Sequence, residues 1–369
     1  METPNTPPAL NQSLACKGCG ANLKFAAGTK SLSCPYCGAA NEIISEETSR
    51  NYSAEELDYE EFLKKGVANE QKQTVAVVKC SGCGAESTLK PNVTSDECAF
   101  CGTSLVIQSG STASIIKPKS ILPFKVQQRD GMDLFQKWID GLWFAPNDIS
   151  RARPAEKLKG MYIPYWTFDS YTYTDYSGER GDDYQVSETY TDSNGNTQTR
   201  MVTRTRWYGV SGSVEDDFDD VLVEATTSLP QEYIRALEPW DLEDLQPYND
   251  QFLSGFQTEM YHVELKQGFE EAKDIMQDAI DTHIRKHIGG DHQRIHHKDT
   301  KYTNITFKHI LLPIWVCAYR YNDKIFRFLI NGRTGEVQGE RPYSWIKITL
   351  AVLAALAVVF AIFYFTRKH

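Results

Sequence analysis

Apolar positions along the chain fall into two periods, and the changes between them mark its parts. Met132, Phe135, Trp138 and Ile139 recur at helical spacing, which predicts a helix over 130–141, stopped before Pro146. A longer stripe, Phe269, Ala272, Met276, Ala279 and Ile280, predicts a helix from Gly268 to Ile288, ended by Gly289 and Gly290. Ser53 with Glu56 three residues on forms a capping box, and Leu57, Phe62 and Leu63 give a partial apolar face. That predicts a helix over 54–72, and a further helix is expected over 150–158.

Between these segments the sequence turns to β-formers. Val75–Val78, ILPFKV from Ile121, and the Tyr-rich run GMYIPYWTFDSYTYTDYSG all read as strands. Tyr184–Thr191 and Thr199–Tyr208 flank Asn194-Gly195, the favoured two-residue turn. Counting outward from that turn places Glu188 opposite Met201 and Asp183 opposite Arg206. Strands are also expected at 302–308, 310–321 and 324–330, with a turn at Asn322-Asp323 and a tight NGRTGEV turn after them. Two phrases echo each other: Ile163-Pro164-Tyr165-Trp166 and Leu312-Pro313-Ile314-Trp315. Proline cannot donate within a central strand, so both are expected at strand starts or edges.

The last pattern is a lack of one. Ile348–Phe365 holds no charge, and its eighteen residues span about 27 Å as a helix, close to the thickness of a hydrocarbon core. Trp345 and Lys347 precede it, and Tyr364, Arg367 and Lys368 close it, as interfacial anchors do. Such a span, taken as 345–366 with a tail at 367–369, has no polar face to present to water. The start, METPNTPPALNQS, has neither a basic n-region nor an apolar stretch. The body is therefore expected to remain in the cytoplasm, single-pass at the inner membrane. Arg333, Arg341 and Lys347 on the inner flank lean the same way.

The 369 residues contain nine cysteines, and eight of them form four C-x-x-C pairs. Cys16, Cys19, Cys34 and Cys37 make one set; Cys80, Cys83, Cys98 and Cys101 make another, displaced by 64 positions with identical spacing. Leu14 maps onto Val78, Gly20 onto Gly84 and Tyr36 onto Phe100. Two thiolates three residues apart in a tight turn can share an ion, and a glycine follows every pair to allow positive φ. Four such ligands make a closed, structural Zn²⁺ site, so two Zn²⁺ are expected per chain. Disulfides need an oxidising compartment, and a redox C-x-x-C needs one pair in a βαβ setting. Spacing does not separate zinc from an iron site built on the same thiolates. Cys317, in the apolar run LPIWVCAY, reads as a small buried hydrophobe.

The organisation that follows is a loose N-terminus 1–13, a zinc ribbon 14–44, a helical linker 45–77, a second ribbon 78–107, a linker 108–120, and an α+β domain 121–343 before the span. The net charge of −10 disfavours a role in gripping nucleic-acid phosphates. Positions 1–110 alone carry 9 basic and 13 acidic residues. VEDDFDD at 214–220 reads as a solvated loop or strand edge, with a cation site as the alternative. His283, His287, His292, His296 and His297 crowd 283–297 among Arg and Lys. They read as a polar helix end and loop, with a pH- or lipid-sensing patch and a third metal site as the sharper alternatives. Neither a P-loop nor a G-x-S-x-G or H-E-x-x-H motif is present.

The paired ribbons, then WFAPND, GMYIPYWTFD, LPIWVCAYRY and FLINGRTGEV, and finally the apolar span, resemble the bacterial membrane-anchored double zinc-ribbon proteins. That group is often labelled helicase-like or primosomal-protein-N-prime-like. The resemblance covers nearly the whole chain and implies no enzymatic activity; of functional positions it carries over only the eight cysteines. It also implies association with membrane-stress systems that include phage-shock-protein-A-like and flotillin-like partners. The expectation is a non-enzymatic adaptor that brings a protein partner to the membrane, with a homo-oligomer as a further option. Its rivals are a nucleic-acid accessory factor and an enzyme with an unfamiliar site in the α+β domain.

Overall fold

The computed structural model of the chain describes residues 14–43, 56–65, 72–88, 95–106, 111–146, 158–191, 195–321 and 324–367. The expectations for 1–13, Ser53, 150–157, Asn194 and Asn322-Asp323 lie outside these residues.

The fold is α+β. The first cysteine set carries its own three-stranded sheet, β1 (Lys24–Phe25), β2 (Ser31–Ser33) and β3 (Ala40–Glu42). Then come β4 (Leu57–Asp58), α1 (Tyr59–Lys65), β5 (Lys72–Lys79), β6 (Glu86–Thr88), the small pair β7 (Ser95–Glu97) and β8 (Ser104–Val106), β9 (Ser111–Ile116) and β10 (Ser120–Ile121). Helix α2 (Gln128–Asp140) precedes two very long strands, β11 (Lys159–Thr191) and β12 (Thr197–Glu224). The rest is α3 (Gln231–Arg235), β13 (Gln246–Pro247), β14 (Gln257–Glu259), α4 (Leu265–Ile288), β15 (His292–Tyr321), β16 (Lys324–Asn331), β17 (Val337–Gly339) and α5 (Trp345–Thr366).

Antiparallel β12, β11 and β15 form the spine of a twelve-stranded sheet. Burial along β11 shows how it is used. Met161–Phe168 is buried on both sides, 170–178 alternates buried with exposed, and beyond Asp182 nothing is buried. The strand thus passes from a two-sided core, to a sheet covered on one face by α4, to a bare hairpin. The bare arm, ten residues from Asp182 to Thr191, reaches out about 30 Å. Helix α4 covers the middle section through Phe269, Ala272, Met276, Ile280 and Ile284. Gly268 is required there, because a Cβ would stand 2.9 Å from the Trp166 ring.

Several local expectations are revised. Among the described residues of the helix predicted over 54–72, Tyr59–Lys65 are helical, Leu57–Asp58 form β4, and Lys72 already belongs to β5. The 108–120 segment contains β9, which pairs with β5 in the main sheet. The strands predicted at 302–308 and 310–321 are one strand that begins at His292, so the histidines at 292–297 sit in a strand, not a loop, while the strand predicted at 324–330 is β16. In the hairpin, Thr191 pairs with Thr197, Glu188 with Arg200 and Asp183 with Thr205. This register differs by one residue from the one counted out of Asn194-Gly195, which exchanges the faces. The shift makes Glu188 and Arg200 a cross-strand ion pair at 2.8 Å. VEDDFDD lies within β12, whose pairing partner is β11, so the acidic run lines a sheet edge and discourages edge-to-edge pairing.

Pro164 and Pro313 lie inside central strands rather than at their starts. Each sits where its strand changes neighbours. β11 passes from β14, at Met161 and Tyr162, to β12, which begins at Tyr165. β15 passes from β10, at Ile310 and Leu311, to β16, which begins at Ile314. The Pro164 and Pro313 carbonyls accept from Ala225 and Gly332 on those same flanks, so each missing N–H falls at a gap in the ladder. The sequence echo therefore records the same solution used twice.

Candidate metal centres

Each cysteine pair closes a tight turn. The N–H of Gly20 donates to the Cys16 carbonyl at 2.8 Å, and Gly38, Gly84 and Gly102 repeat this onto Cys34, Cys80 and Cys98 at 3.0, 2.9 and 2.9 Å. All four glycines have φ between +71° and +79°, where a Cβ would be strained. The turns bring the sulfurs together. Cys16 and Cys37 Sγ are 3.6 Å apart and Cys19 and Cys34 3.5 Å; Cys80–Cys101 and Cys83–Cys98 are 3.5 and 3.6 Å. Within each set all four sulfurs lie inside 4.8 Å of one another. A tetrahedron with metal–sulfur bonds of about 2.3 Å has edges of about 3.8 Å, while a disulfide needs about 2.05 Å. Both clusters are geometrically compatible with a metal ion each, and all eight predicted cysteines are in place.

Backbone donors and neighbouring sulfurs push the thiols in different directions. The N–H groups of Cys19 and Gly18 beside Cys16 hold its thiol down to about 6. Gly82 donates to Cys80 Sγ at 3.3 Å in the corresponding turn. Cys34 is lowered too, whereas neighbouring sulfurs raise Cys19 and Cys37 and burial raises Cys83 and Cys98.

The two clusters sit on opposite faces of one sheet. Tyr162, Leu311, Trp315, Cys317, Phe328 and Ile330 share a core with Cys16, Leu23, Phe25, Leu32 and Cys34 of the first ribbon. Their immediate neighbours, Met161, Ile163, Ile310, Leu312, Ile314, Val316 and Leu329, share another with Val78, Cys80, Cys98 and Phe100 of the second. Side chains alternate along a strand, so these cores are the two sides of β11, β15 and β16. Cys317 is buried on the first side, as expected of a small hydrophobe.

The attachments also differ. The second ribbon is continuous with the sheet: β6 pairs with β14, and Arg327 Nε donates to the Phe100 carbonyl at 2.7 Å. The first keeps its separate sheet and docks by Phe25, which meets Phe252 edge-on with ring centroids 5.2 Å apart. Phe25 N–H donates to the Ser254 carbonyl at 2.8 Å, and Ser254 Oγ donates to the Leu23 carbonyl at 2.6 Å. Docked this way, the first ribbon turns its second knuckle outward, and Tyr36 is 81 % exposed. The sequence held no sign of that exposure, because Tyr36 and Phe100 look interchangeable there.

The histidine cluster does not converge. His283 Nδ1 lies 2.8 Å from Asp216, His287 Nδ1 3.1 Å from the Tyr176 hydroxyl, His292 3.2 Å from Asp183 and His296 3.3 Å from Glu179. The acidic group Asp169, Asp219 and Asp220 does converge, at a bulge where Asp220 takes φ +52°. Its cation is a lysine: Lys308 Nζ lies 2.6 Å from Asp220 and 3.3 Å from Glu56.

Helix α5 is 22 residues long, about 33 Å, and every side of it is exposed. It is a candidate membrane span by length and composition. Ser344 caps it, accepting from Lys347 N–H.

Comparison with known proteins finds a relative that matches over most of the chain. The Bacillus subtilis protein YdjG, described as uncharacterized, is 25 % identical over 339 residues, which cover 91 % of this chain and 92 % of YdjG. No protein-family model matches the chain, and no solved structure matches it. The similarity extends over most of the length of both chains.

Proposed function

We propose that the protein is a membrane-anchored adaptor whose first ribbon receives a protein partner. The two metals are Zn²⁺, in closed four-sulfur sites that shape the chain and leave no position for a substrate. Helix α5 crosses the inner membrane once and keeps the body in the cytoplasm, where thiols stay reduced. The observation that carries this reading is the outward knuckle at Tyr36. A large aromatic side chain is held on a stapled turn, and that turn is docked on a rigid body. Exposed aromatics on rigid supports are frequent anchors of protein interfaces. The resemblance to membrane-stress proteins directs the search for the partner toward phage-shock-protein-A-like and flotillin-like proteins.

The test is crosslinking in membranes followed by affinity capture and mass spectrometry, with Tyr36→Ser beside the parent. A partner captured by the parent and lost in Tyr36→Ser supports the adaptor. Sub-micromolar binding of DNA or RNA by the full chain at physiological salt would instead favour a nucleic-acid accessory role.

A further inference from the structure

Helix α5 does not leave the body as a free tail. Ser344 N–H donates to the Phe144 carbonyl at 2.7 Å, and Lys347 Nζ donates to the Ala145 carbonyl at 2.8 Å. The loop after α2, Gly141-Leu142-Trp143-Phe144-Ala145-Pro146, is thereby tied to the first turn of the span. Within it, Ala145 is buried, but Trp143 is 76 % exposed and Phe144 38 %. Their rings stack on each other with centroids 5.8 Å apart, facing away from the body's core. The pair forms an exposed apolar patch beside the first turn of the span.

The depth of this loop follows from the helix. The uncharged run begins at Ile348, and its 18 residues fill about 27 Å of a hydrocarbon core about 30 Å thick. Trp345, Ile346 and Lys347 are therefore at the level of the lipid headgroups. The Ala145 carbonyl, bonded to the Lys347 ammonium, is at that level too. Trp side chains are favoured in this layer, with an apolar ring body and one N–H for the polar side. Tyr343, with Arg341 over its ring at 5.3 Å, extends the same aromatic and basic collar.

We propose that the Trp143–Phe144 loop inserts into the headgroup layer of the leaflet that α5 enters, so that the body meets the bilayer at two points. This rests on α5 as a membrane span. Two contacts fix how the body is tilted, and with it how far the ribbons and the long hairpin stand from the surface.

The experiment uses the full chain labelled with 5-fluorotryptophan in phosphatidylcholine–phosphatidylglycerol vesicles, with a phosphatidylcholine spin-labelled near its glycerol. Trp143→Phe, Trp345→Phe and Trp207→Phe assign the three fluorine resonances that matter. The expected result is paramagnetic broadening of Trp143 comparable to that of Trp345 and many times that of Trp207. Broadening of Trp345 with a sharp Trp143 signal overturns the inserted loop and leaves the span intact. If the chain fails to enter the vesicles, or neither signal broadens, the span itself is overturned and the inserted loop with it.

Discussion

Tyr36 and Phe100 hold the same position in two copies of one cysteine motif, yet Tyr36 is 81 % exposed and Phe100 is completely buried. Phe100 closes the core between the second ribbon and the sheet, beside Cys80 and Cys98, while its counterpart points into solvent. The consequence is an asymmetry of cost. Phe100→Ala removes a filled core position and should destabilise the protein by about 3–5 kcal/mol. Tyr36→Ala, a surface change, should stay within about 0.5 kcal/mol. Urea unfolding of both variants against the parent checks this.

Metal content gives a second prediction. Purified protein should hold two Zn²⁺, and Cys34→Ser should hold one. Because Cys34 is buried in the core that contains Phe124 and Trp315, losing the first metal should also loosen that side of the body. Elemental analysis with hydrogen exchange reads both effects. Iron in place of zinc, or retention of two metals in Cys34→Ser, would contradict the assignment.

A third prediction concerns pH. Glu259, on β14 where the second ribbon joins the sheet, is fully enclosed, and burial pushes its carboxyl up to about 7. A raised carboxyl binds its proton more tightly in the folded state. Its contribution is therefore complete below the unfolded value near 4.5 and is lost as pH rises through 7. His309 works the other way. Burial lowers its ring to about 4, although its Nδ1 bonds the Ile116 carbonyl at 2.7 Å, so its contribution is lost as pH falls from 6.5 toward 4. The two trends oppose each other near pH 5–6 and mask one another in the parent. Glu259→Gln removes the first. Its stability relative to the parent should rise by about 3 kcal/mol between pH 4.5 and 7.5, measured by denaturant unfolding across that range.

Gly268 should tolerate nothing larger. Alanine favours a helix by about 1 kcal/mol, but here its methyl would meet the Trp166 ring, and overpacking costs about 1–3 kcal/mol. Gly268→Ala is expected to lower the melting temperature, and a rise would show that α4 can slide on the sheet.

Orientation can be read by protease. In intact spheroplasts the ribbons should be protected until the membrane is broken, and a chain ending at Tyr343 should move to the soluble fraction. Cleavage of the ribbons in intact spheroplasts would reverse the topology and remove the cytoplasmic adaptor with it.

Much of this was legible from local chemistry. Eight cysteines at repeated spacing, each pair followed by glycine, specify two four-sulfur clusters whatever surrounds them. The knuckle is a turn of a few residues, and its geometry is set by its own backbone. The apolar stripe from Phe269 to Ile280 specified α4 in the same way, and a run without charges specified α5. Where the reading failed, the cause lay outside the segment. The hairpin register differs by one residue from the count made outward from Asn194-Gly195, and that one residue moved Glu188 from Met201 to Arg200. The two prolines read as strand ends because the gaps that accommodate them are made by β10, β12, β14 and β16, far away in sequence.

By itself, then, the sequence determined what each segment closes around: its cysteine clusters, its helices and its apolar C-terminal helix. Only the tertiary structure decided which surfaces remain open. Two ribbons with one spacing were placed on opposite faces of the same strands, one built into the sheet through β6 and the other docked through Phe25. Metal binding is local and depends on residues within one ribbon, whereas burial is a property of everything that packs nearby. That is why Tyr36 and Phe100 look alike in the chain and differ in the fold, and why the Trp143–Phe144 loop is recognisable as a membrane contact only once Lys347 is seen holding it.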